Sequence, residues 1–289
     1  MEIELKYIIT TESGSDLPKE LIDKYQVRII PMHVTMGDKT YQDGSFEVGK
    51  VYDYYDQTNQ LPKTSGSTPN DNSQVFQQIF DEYPHSHIIH IAYSAVTTVS
   101  FNSARIAAEN FDNITLIDSK NVTAGLTIVI KATAEYIEAH PEATPEDIVN
   151  FVENVRERTQ FFFIPKTLLY LKAGGRVSTL AFIGANLLNI HPTVKLDDGY
   201  LVAGKKYRGS FERSLKKALN NFFTNYDLDL DTIIMGGSPG VDPAHKQLAL
   251  DIAHSYGANN VRWMNTGAVI SSHGGPGAIG WGGIEKSKN

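Results

Sequence analysis

The 289-residue chain contains no cysteine, which excludes disulfides, cysteine nucleophiles and thiolate metal ligands. It also lacks an excess of positive charge. Its formal net charge is −7, whereas proteins that bind nucleic acid cluster lysine and arginine for phosphate contacts. Basic pairs such as Lys205-Lys206 are interpreted as solvated surface. These features predict a protein without a nucleic-acid partner.

Long hydrophobic runs are absent as well. A membrane helix needs about 18 consecutive apolar residues. The closest run, at 180–190, is interrupted by Asn186 and Asn189. The N-terminal segment lacks the basic region, apolar core and cleavage site of a signal peptide. We therefore expect a cytoplasmic protein without stable membrane insertion.

Strand and helix patterns alternate through the first half of the chain. β-branched runs predict strands at 6–10, 27–34, 87–93 and 114–117, with helical patterns between them. Alternation of this kind predicts a parallel sheet covered by helices. Asp16 precedes the first predicted helix and is expected to cap it.

The second half follows a different pattern. Asp198-Gly199 between two strand-like runs predicts a hairpin, which is typical of a mixed sheet. A further strand is expected at 268–272. The predicted fold class is therefore α/β in two domains: an N-terminal parallel-sheet domain at 1–160 and a C-terminal mixed-sheet domain at 161–289.

Two hydroxyl-rich loops are the strongest indication of a binding site. They are Lys63–Pro69 and Ser94–Ser100, and both are expected at the carboxyl edge of the parallel sheet, where open α/β folds bind ligands. Hydroxyls and free helix N–H groups at that edge can hold an anion. Helix capping is the alternative interpretation of any one of these hydroxyls.

Glycine-rich segments also invite functional interpretations. In Leu168–Ser178, a glycine pair ends a hydrophobic helix and Arg176 follows, as in a loop that holds an anion. The segment 271–280 lacks the spacing of a dinucleotide or phosphate loop, but its His273 suits a carboxylate ligand. The histidines near residues 85–90 are not interpreted as a metal site, because no nearby acid completes a likely ligand set.

Taken in order, several motifs resemble the bacterial DegV family, which includes the fatty-acid-binding subunits of fatty acid kinase. The resemblance spans nearly the whole chain. The motifs that carry it are Thr11-Glu-Ser-Gly-Ser-Asp-Leu-Pro18, Lys63-Thr64-Ser65, Ile117-Asp-Ser-Lys-Asn-Val-Thr-Ala-Gly125, Tyr170-Leu-Lys-Ala-Gly-Gly-Arg-Val-Ser178, Gly184-Ala-Asn-Leu-Leu-Asn-Ile-His-Pro192 and His273-Gly-Gly-Pro-Gly-Ala-Ile-Gly280.

The resemblance implies two domains with one long-chain fatty acid in an apolar tunnel between them. It implies that Thr64 and Thr98 bind the carboxylate, with His273 and Arg176 in the surrounding polar network. It also implies a partner, a separate ATP-dependent kinase subunit that phosphorylates the bound carboxylate to an acyl phosphate. On this basis the chain is not itself an enzyme and needs neither a cofactor nor a metal.

The sequence departs from the family pattern near the expected head-group site. Gly66 and Ser67 stand where the family usually has Gln-Pro, and Val99 stands where it has glycine. An alternative therefore stays open: a binding protein for another acidic lipid or small carboxylate metabolite, not coupled to a kinase. A self-sufficient phosphotransferase is disfavoured because no phosphate loop or magnesium-binding acid cluster is visible.

Overall fold

Within residues 6–175 and 189–287, which the computed structural model describes, the chain forms three β-sheets with helices packed between and beside them. The strands are β1 (Tyr7–Glu12), β2 (Arg28–Ile30), β3 (His33–Met36), β4 (Lys39–Gln42), β5 (Lys63–Ser65), β6 (His87–Ala92), β7 (Ile114–Asp118), β8 (Thr159–Ile164), β9 (Ile190–Asp197), β10 (Tyr200–Arg208), β11 (Leu228–Gly237), β12 (Arg262–Asn265) and β13 (Ile279–Glu285). The helices are α1 (Lys19–Tyr25), α2 (Lys50–Thr58), α3 (Pro69–Glu82), α4 (Ser100–Ala108), α5 (Thr123–Ala139), α6 (Pro145–Arg158), α7 (Leu169–Gly174), α8 (Phe211–Asn225), α9 (Pro243–Ser255) and α10 (Ala268–Gly274).

The first sheet has the strand order β2-β1-β6-β7, and each neighbouring pair in it is parallel. The predicted parallel sheet of the N-terminal half is therefore confirmed. Side chains alternate between the two faces of a strand. As a result, Ile8 and Ile88 pack with Phe76 of α3 and Ala104 of α4, whereas Ile9 belongs to the cluster on the α5 side.

The largest sheet has the strand order β10-β9-β8-β13-β11-β12. Its β11–β12 pair is parallel and its other pairs are antiparallel, so the predicted mixed sheet is confirmed. The predicted hairpin joins β9 to β10. Asp198 and Gly199 have φ values of 46° and 81°, the positive values that a two-residue type I′ turn requires.

A small antiparallel sheet, β4-β3-β5, corrects two expectations. The single strand expected at 27–34 is two strands in different sheets, because Pro31 between them has no N–H to donate to a ladder. Lys63–Ser65, expected in a loop at the edge of the parallel sheet, instead forms β5 and pairs with β3. The pairing of Val34 with Thr64 joins segments too distant in sequence for local patterns to indicate it.

Helix α5 contacts strands of both large sheets. Its Leu126 and Ile130 belong to one buried cluster with Ile91 of β6 and Phe161 of β8, so the two halves share a hydrophobic core. The division at residues 160 and 161 stays a prediction. No helix within the described ranges is both long and apolar enough to cross a membrane.

The segment expected as a strand at 268–272 is helix α10, and that expectation was wrong. Its Val-Ile pair favours a strand locally. The first N–H groups of the helix, however, meet buried carboxylates from distant parts of the chain, which stabilise a helix N-terminus. Gly275 follows the helix with φ 73°, a value that glycine adopts without steric cost.

Candidate functional site

A cavity of about 920 Å³, its opening included, lies where β5, α10 and the loop after β6 meet the six-stranded sheet. Most of its wall is apolar, and its polar side chains are hydroxyls and one imidazole. The apolar side chains are Met32, Tyr93, Val122, Ala124, Phe161, Phe163, Leu171, Leu201, Met264, Val269, Ile270 and Ala278. The polar ones are Thr64, Ser65, Thr97, Thr98, Thr123, Ser238, Thr266 and His273. Such a cavity suits a mainly apolar ligand that carries a polar group.

The polar wall includes a direct contact between two segments that are far apart in sequence. Thr64 Oγ1 on β5 lies 2.7 Å from His273 Nε2 in the last turn of α10. A threonine hydroxyl can donate or accept, and an imidazole nitrogen can do either according to its tautomer. Both groups line the cavity, so together they can hydrogen-bond an acid group placed there.

Thr98 reaches the same cavity from the loop after β6, at the carboxyl end of a parallel strand, as predicted. Its Oγ1 lies 3.1 Å from Ser100 Oγ, which in turn accepts a hydrogen bond from the backbone N–H of Ser67 at 3.1 Å. Gly66 permits this approach. A Cβ added at Gly66 would lie 2.5 Å from Thr98 Oγ1 and in similarly close contact with Ser100 Oγ. The hydroxyl cluster therefore depends on glycine at position 66.

Two buried carboxylates that sequence patterns did not assign to the site hold the start of α10. Asp16 Oδ1 accepts from the Gly267 N–H at 2.6 Å, and Asp43 Oδ1 accepts from the Ala268 N–H at 2.8 Å. Asp16 was expected to cap α1, and that expectation was wrong, because its carboxylate points to Gly267 and Thr123. The Asp16 contacts fix the helix that carries His273.

Burial dominates the electrostatics of these two carboxylates. Desolvation raises the pKa of Asp16 well above its usual range, although hydrogen bonds from Thr123 and Gly267 act in the opposite direction. Desolvation also raises the pKa of Asp43, and hydrogen bonds from Ser13 and backbone N–H groups oppose that shift. Each carboxylate therefore lies at the start of α10 although burial disfavours its charged form.

Arg176, the fourth residue expected at the site, lies outside the described residues. The helix stop before it is seen: α7 ends at Gly174, and Gly175 has φ 62°. Leu171 of α7 lines the cavity, and Gly174 packs against the His273 ring.

The two histidines of β6 lie within hydrogen-bond distance of threonines on the neighbouring strands β7 and β1. His87 Nε2 lies 2.8 Å from Thr115 Oγ1, and His90 Nδ1 lies 2.9 Å from Thr10 Oγ1. His90 also faces the buried carboxylate of Glu12 at 3.5 Å. Among residues 6–175 and 189–287, no three histidine, aspartate or glutamate side chains converge in a way that could hold a metal ion.

Comparison with known proteins agrees with this architecture. The family model of the DegV family of uncharacterised proteins matches residues 6–286. A DegV domain-containing protein of Clostridium perfringens is 29% identical over 280 residues, covering 95% of this chain and 97% of that protein. The solved structure of a fatty-acid-binding DegV family protein from Thermus thermophilus matches with a TM-score of 0.84 and 24% identity, covering 98% of this chain and all of that one. A stearic-acid-binding protein from Eubacterium ventriosum matches with a TM-score of 0.80 and 25% identity, covering 98% of each chain. The chain belongs to the DegV family.

Proposed function

We propose that this protein binds a long-chain fatty acid in the cavity between β5, α10 and the six-stranded sheet. The contact of Thr64 with His273 at the wall of a mostly apolar cavity carries the proposal. The stearic-acid-binding relative from Eubacterium ventriosum supports the same ligand class. In this proposal Thr64 and Thr98 hydrogen-bond the carboxylate, and His273 lies in the polar network around it.

The division of the cavity into apolar and polar walls matches the energetics of such a ligand. Burial of each methylene contributes roughly 0.8 kcal/mol, so the acyl chain supplies most of the affinity. A buried carboxylate needs hydrogen-bond donors, since otherwise it takes up a proton instead. Thr64, Thr98 and His273 can supply them, and Asp16 and Asp43 keep the helix of His273 in place.

The resemblance to fatty acid kinase subunits extends the proposal to a partner. A separate ATP-dependent kinase subunit would phosphorylate the bound carboxylate to an acyl phosphate, and the present chain would present the acid without catalysing the reaction. Arg176 would organise the polar network next to His273. This role places the protein in the cytoplasm, where the kinase has ATP.

Ligand binding can be tested on the protein as purified from cells. After denaturing extraction, mass spectrometry is expected to find a fatty acid in about equimolar amount, and delipidated protein is expected to bind added palmitate. The proposal is wrong if no fatty acid accompanies the protein and none binds when added. Phosphorylation of bound palmitate on addition of a fatty acid kinase subunit and ATP, and not without that subunit, tests the kinase coupling separately.

A binding protein for another acidic lipid or a small carboxylate is the second candidate. It is favoured by Gly66, because the absence of a side chain there lets the backbone after β5 lie close to Thr98 and Ser100 beside the expected head-group site. Competition between palmitate and short or branched carboxylates distinguishes the two candidates. Displacement of palmitate by a small carboxylate at equal concentration would favour the second one.

A further inference from the structure

A second cavity lies on the opposite face of the six-stranded sheet. Its volume is about 720 Å³, its opening included, and it lies between the sheet and α8. Phe161 and Phe163 of β8 line the first cavity, whereas Phe162 between them lines the second. Because side chains alternate along a strand, the two cavities are separated by the sheet itself.

One row of side chains crosses the sheet on the floor of this second cavity. Phe162 of β8 pairs with Trp281 of β13 on one side and with Lys195 of β9 on the other. The rings of Phe162 and Trp281 are stacked, with centroids 6.4 Å apart and an interplanar angle of 11°. Phe222 and Tyr226 of α8 pack against Phe162, each with ring centroids 5.7 Å away. Aromatic side chains therefore form much of the wall of this cavity.

The polar groups of this cavity are rich in hydrogen-bond donors. Trp281 is fully buried, and its indole Nε1 has no hydrogen-bond partner among the described residues. Lys195 and Lys205 line the cavity, and neither forms a salt bridge within residues 6–175 and 189–287. The cavity has no aspartate or glutamate among its described lining residues. Two ammonium groups, with no carboxylate among the described lining residues, favour an anionic ligand.

A bulge in β10 shapes the rim where Lys205 lies. Gly204 and Lys205 together oppose the single residue Thr193, between the pairs Ala203–Val194 and Lys206–Pro192. A Cβ added at Gly204 would lie 2.6 Å from Thr193 Oγ1, so glycine is needed for this close approach. Bulges commonly redirect a side chain beside a functional site. Lys205, interpreted from the sequence as solvated surface, is indeed exposed, and it also lies on the rim of this cavity.

We propose that this cavity is a second binding site, distinct from the fatty-acid cavity, and that it takes an aromatic carboxylate or a similar planar organic anion. The aromatic ring lies against Phe162 and Phe222, and the anionic group meets Lys195 and Lys205. The proposal does not depend on the ligand of the first cavity.

The two tryptophans of the chain allow a direct test, since each gives one indole N–H resonance. Titration of full-length, palmitate-treated protein with 2-naphthoate is expected to shift the Trp281 resonance. The resonance of Trp263, which lies on β12, is expected to stay in place. Calorimetry under the same conditions is expected to give one site for 2-naphthoate and at least tenfold weaker binding of the neutral 2-naphthamide.

Variants separate this site from the first cavity. The double variant Lys195→Gln/Lys205→Gln is expected to weaken 2-naphthoate binding at least fivefold, and Lys216→Gln, an exposed lysine on α8, is expected to leave it unchanged. Thr64→Val, in the first cavity, is also expected to leave it unchanged. An unmoved Trp281 resonance at millimolar 2-naphthoate, or equal binding of the neutral amide, would overturn the proposal. Loss of naphthoate binding in Thr64→Val would place the probe in the first cavity and overturn it as well.

Discussion

Thr64 Oγ1 and His273 Nε2 lie 2.7 Å apart, although 209 residues separate them in the chain. The contact joins β5 of the small sheet to the last turn of α10, and both side chains line the apolar cavity. His273 holds this position because α10 begins against the carboxylates of Asp16 and Asp43. A polar end is thereby built into a cavity whose other walls are mostly hydrophobic.

Removal of the Thr64 hydroxyl is expected to weaken fatty-acid binding. Thr64→Val keeps the shape of the side chain and removes one hydrogen bond, which is worth about 1.5–3 kcal/mol when its partner is charged. Palmitate affinity is expected to fall about tenfold or more by calorimetry on delipidated protein. Thr40→Val, on exposed β4 of the same sheet, is the matched control and is expected to have no effect. Equal affinities of the two variants would contradict this role of Thr64.

A larger side chain at position 280 is expected to shorten the acyl chain that the cavity accepts. A Cβ added at Gly280 would lie 3.4 Å from Phe161 Cε2 and 3.5 Å from Phe163 Cβ, in ordinary contact, so a longer side chain extends into the space between these rings. Gly280→Leu is expected to weaken the binding of palmitate at least tenfold and the binding of octanoate less than twofold. The reason is that each methylene left unburied loses roughly 0.8 kcal/mol of binding free energy.

The control for this substitution is Gly49→Leu, because a Cβ added at Gly49 meets no atom within 4 Å. Displacement of a fluorescent fatty acid by each acid measures both affinities. If Gly280→Leu binds palmitate as tightly as the unchanged protein, the acyl chain does not run along β13.

Alanine at position 66 is expected to disturb the hydroxyl cluster. Its Cβ would lie 2.5 Å from Thr98 Oγ1, so the hydroxyls of Thr98 and Ser100 must move. Overpacking of a buried site typically destabilises a protein by about 1–3 kcal/mol. We expect Gly66→Ala to lower the free energy of unfolding in urea by this amount and to weaken palmitate binding. Unchanged stability together with unchanged affinity would show that the cluster tolerates the added methyl group.

The raised pKa of Asp16 predicts how stability depends on pH. Because the folded-state pKa lies above the unfolded one, the folded state binds more protons between the two values. The contribution of Asp16 to stability is therefore complete below the usual aspartate pKa and is lost as pH rises through the folded-state pKa. The Asp16→Asn variant lacks this pH-dependent contribution to stability, because its side chain does not titrate. Its amide oxygen can still accept a hydrogen bond from the Gly267 N–H.

Urea unfolding of the unchanged protein and of Asp16→Asn, between pH 4 and pH 8, tests this sign. The unchanged protein is expected to gain stability relative to the variant as pH falls. Asp23→Asn, an exposed aspartate on α1, is expected to show a smaller pH-dependent difference. A gain in stability of the unchanged protein relative to Asp16→Asn as pH rises would contradict the buried, desolvated state of Asp16.

Local sequence patterns predicted the parallel sheet, the hairpin at Asp198-Gly199 and the glycine stop after α7, because alternation, turn residues and helix stops are local properties. The family resemblance indicated Thr64, Thr98 and His273, and the structure places all three on one cavity. Their roles in binding stay predictions, as does the role of Arg176, which lies outside the described residues.

Contacts between distant segments account for what sequence reasoning missed. Helix α10 was predicted as a strand because its stabilising partners, Asp16 and Asp43, are more than 200 residues away. The same contacts explain why Asp16 is not the cap of α1. The second cavity was missed because Phe162, Lys195 and Trp281 come together only through cross-strand pairing.

The binding of palmitate labelled with ¹³C at its carboxyl carbon tests most directly whether the polar wall at Thr64 and His273 holds a fatty-acid head group. In the unchanged protein and in Thr40→Val, the bound carboxyl resonance is expected at one shared position, away from that of free palmitate. In Thr64→Val it is expected at a different position. A resonance at the same position in all three proteins, or no bound resonance at all, would contradict the proposed site.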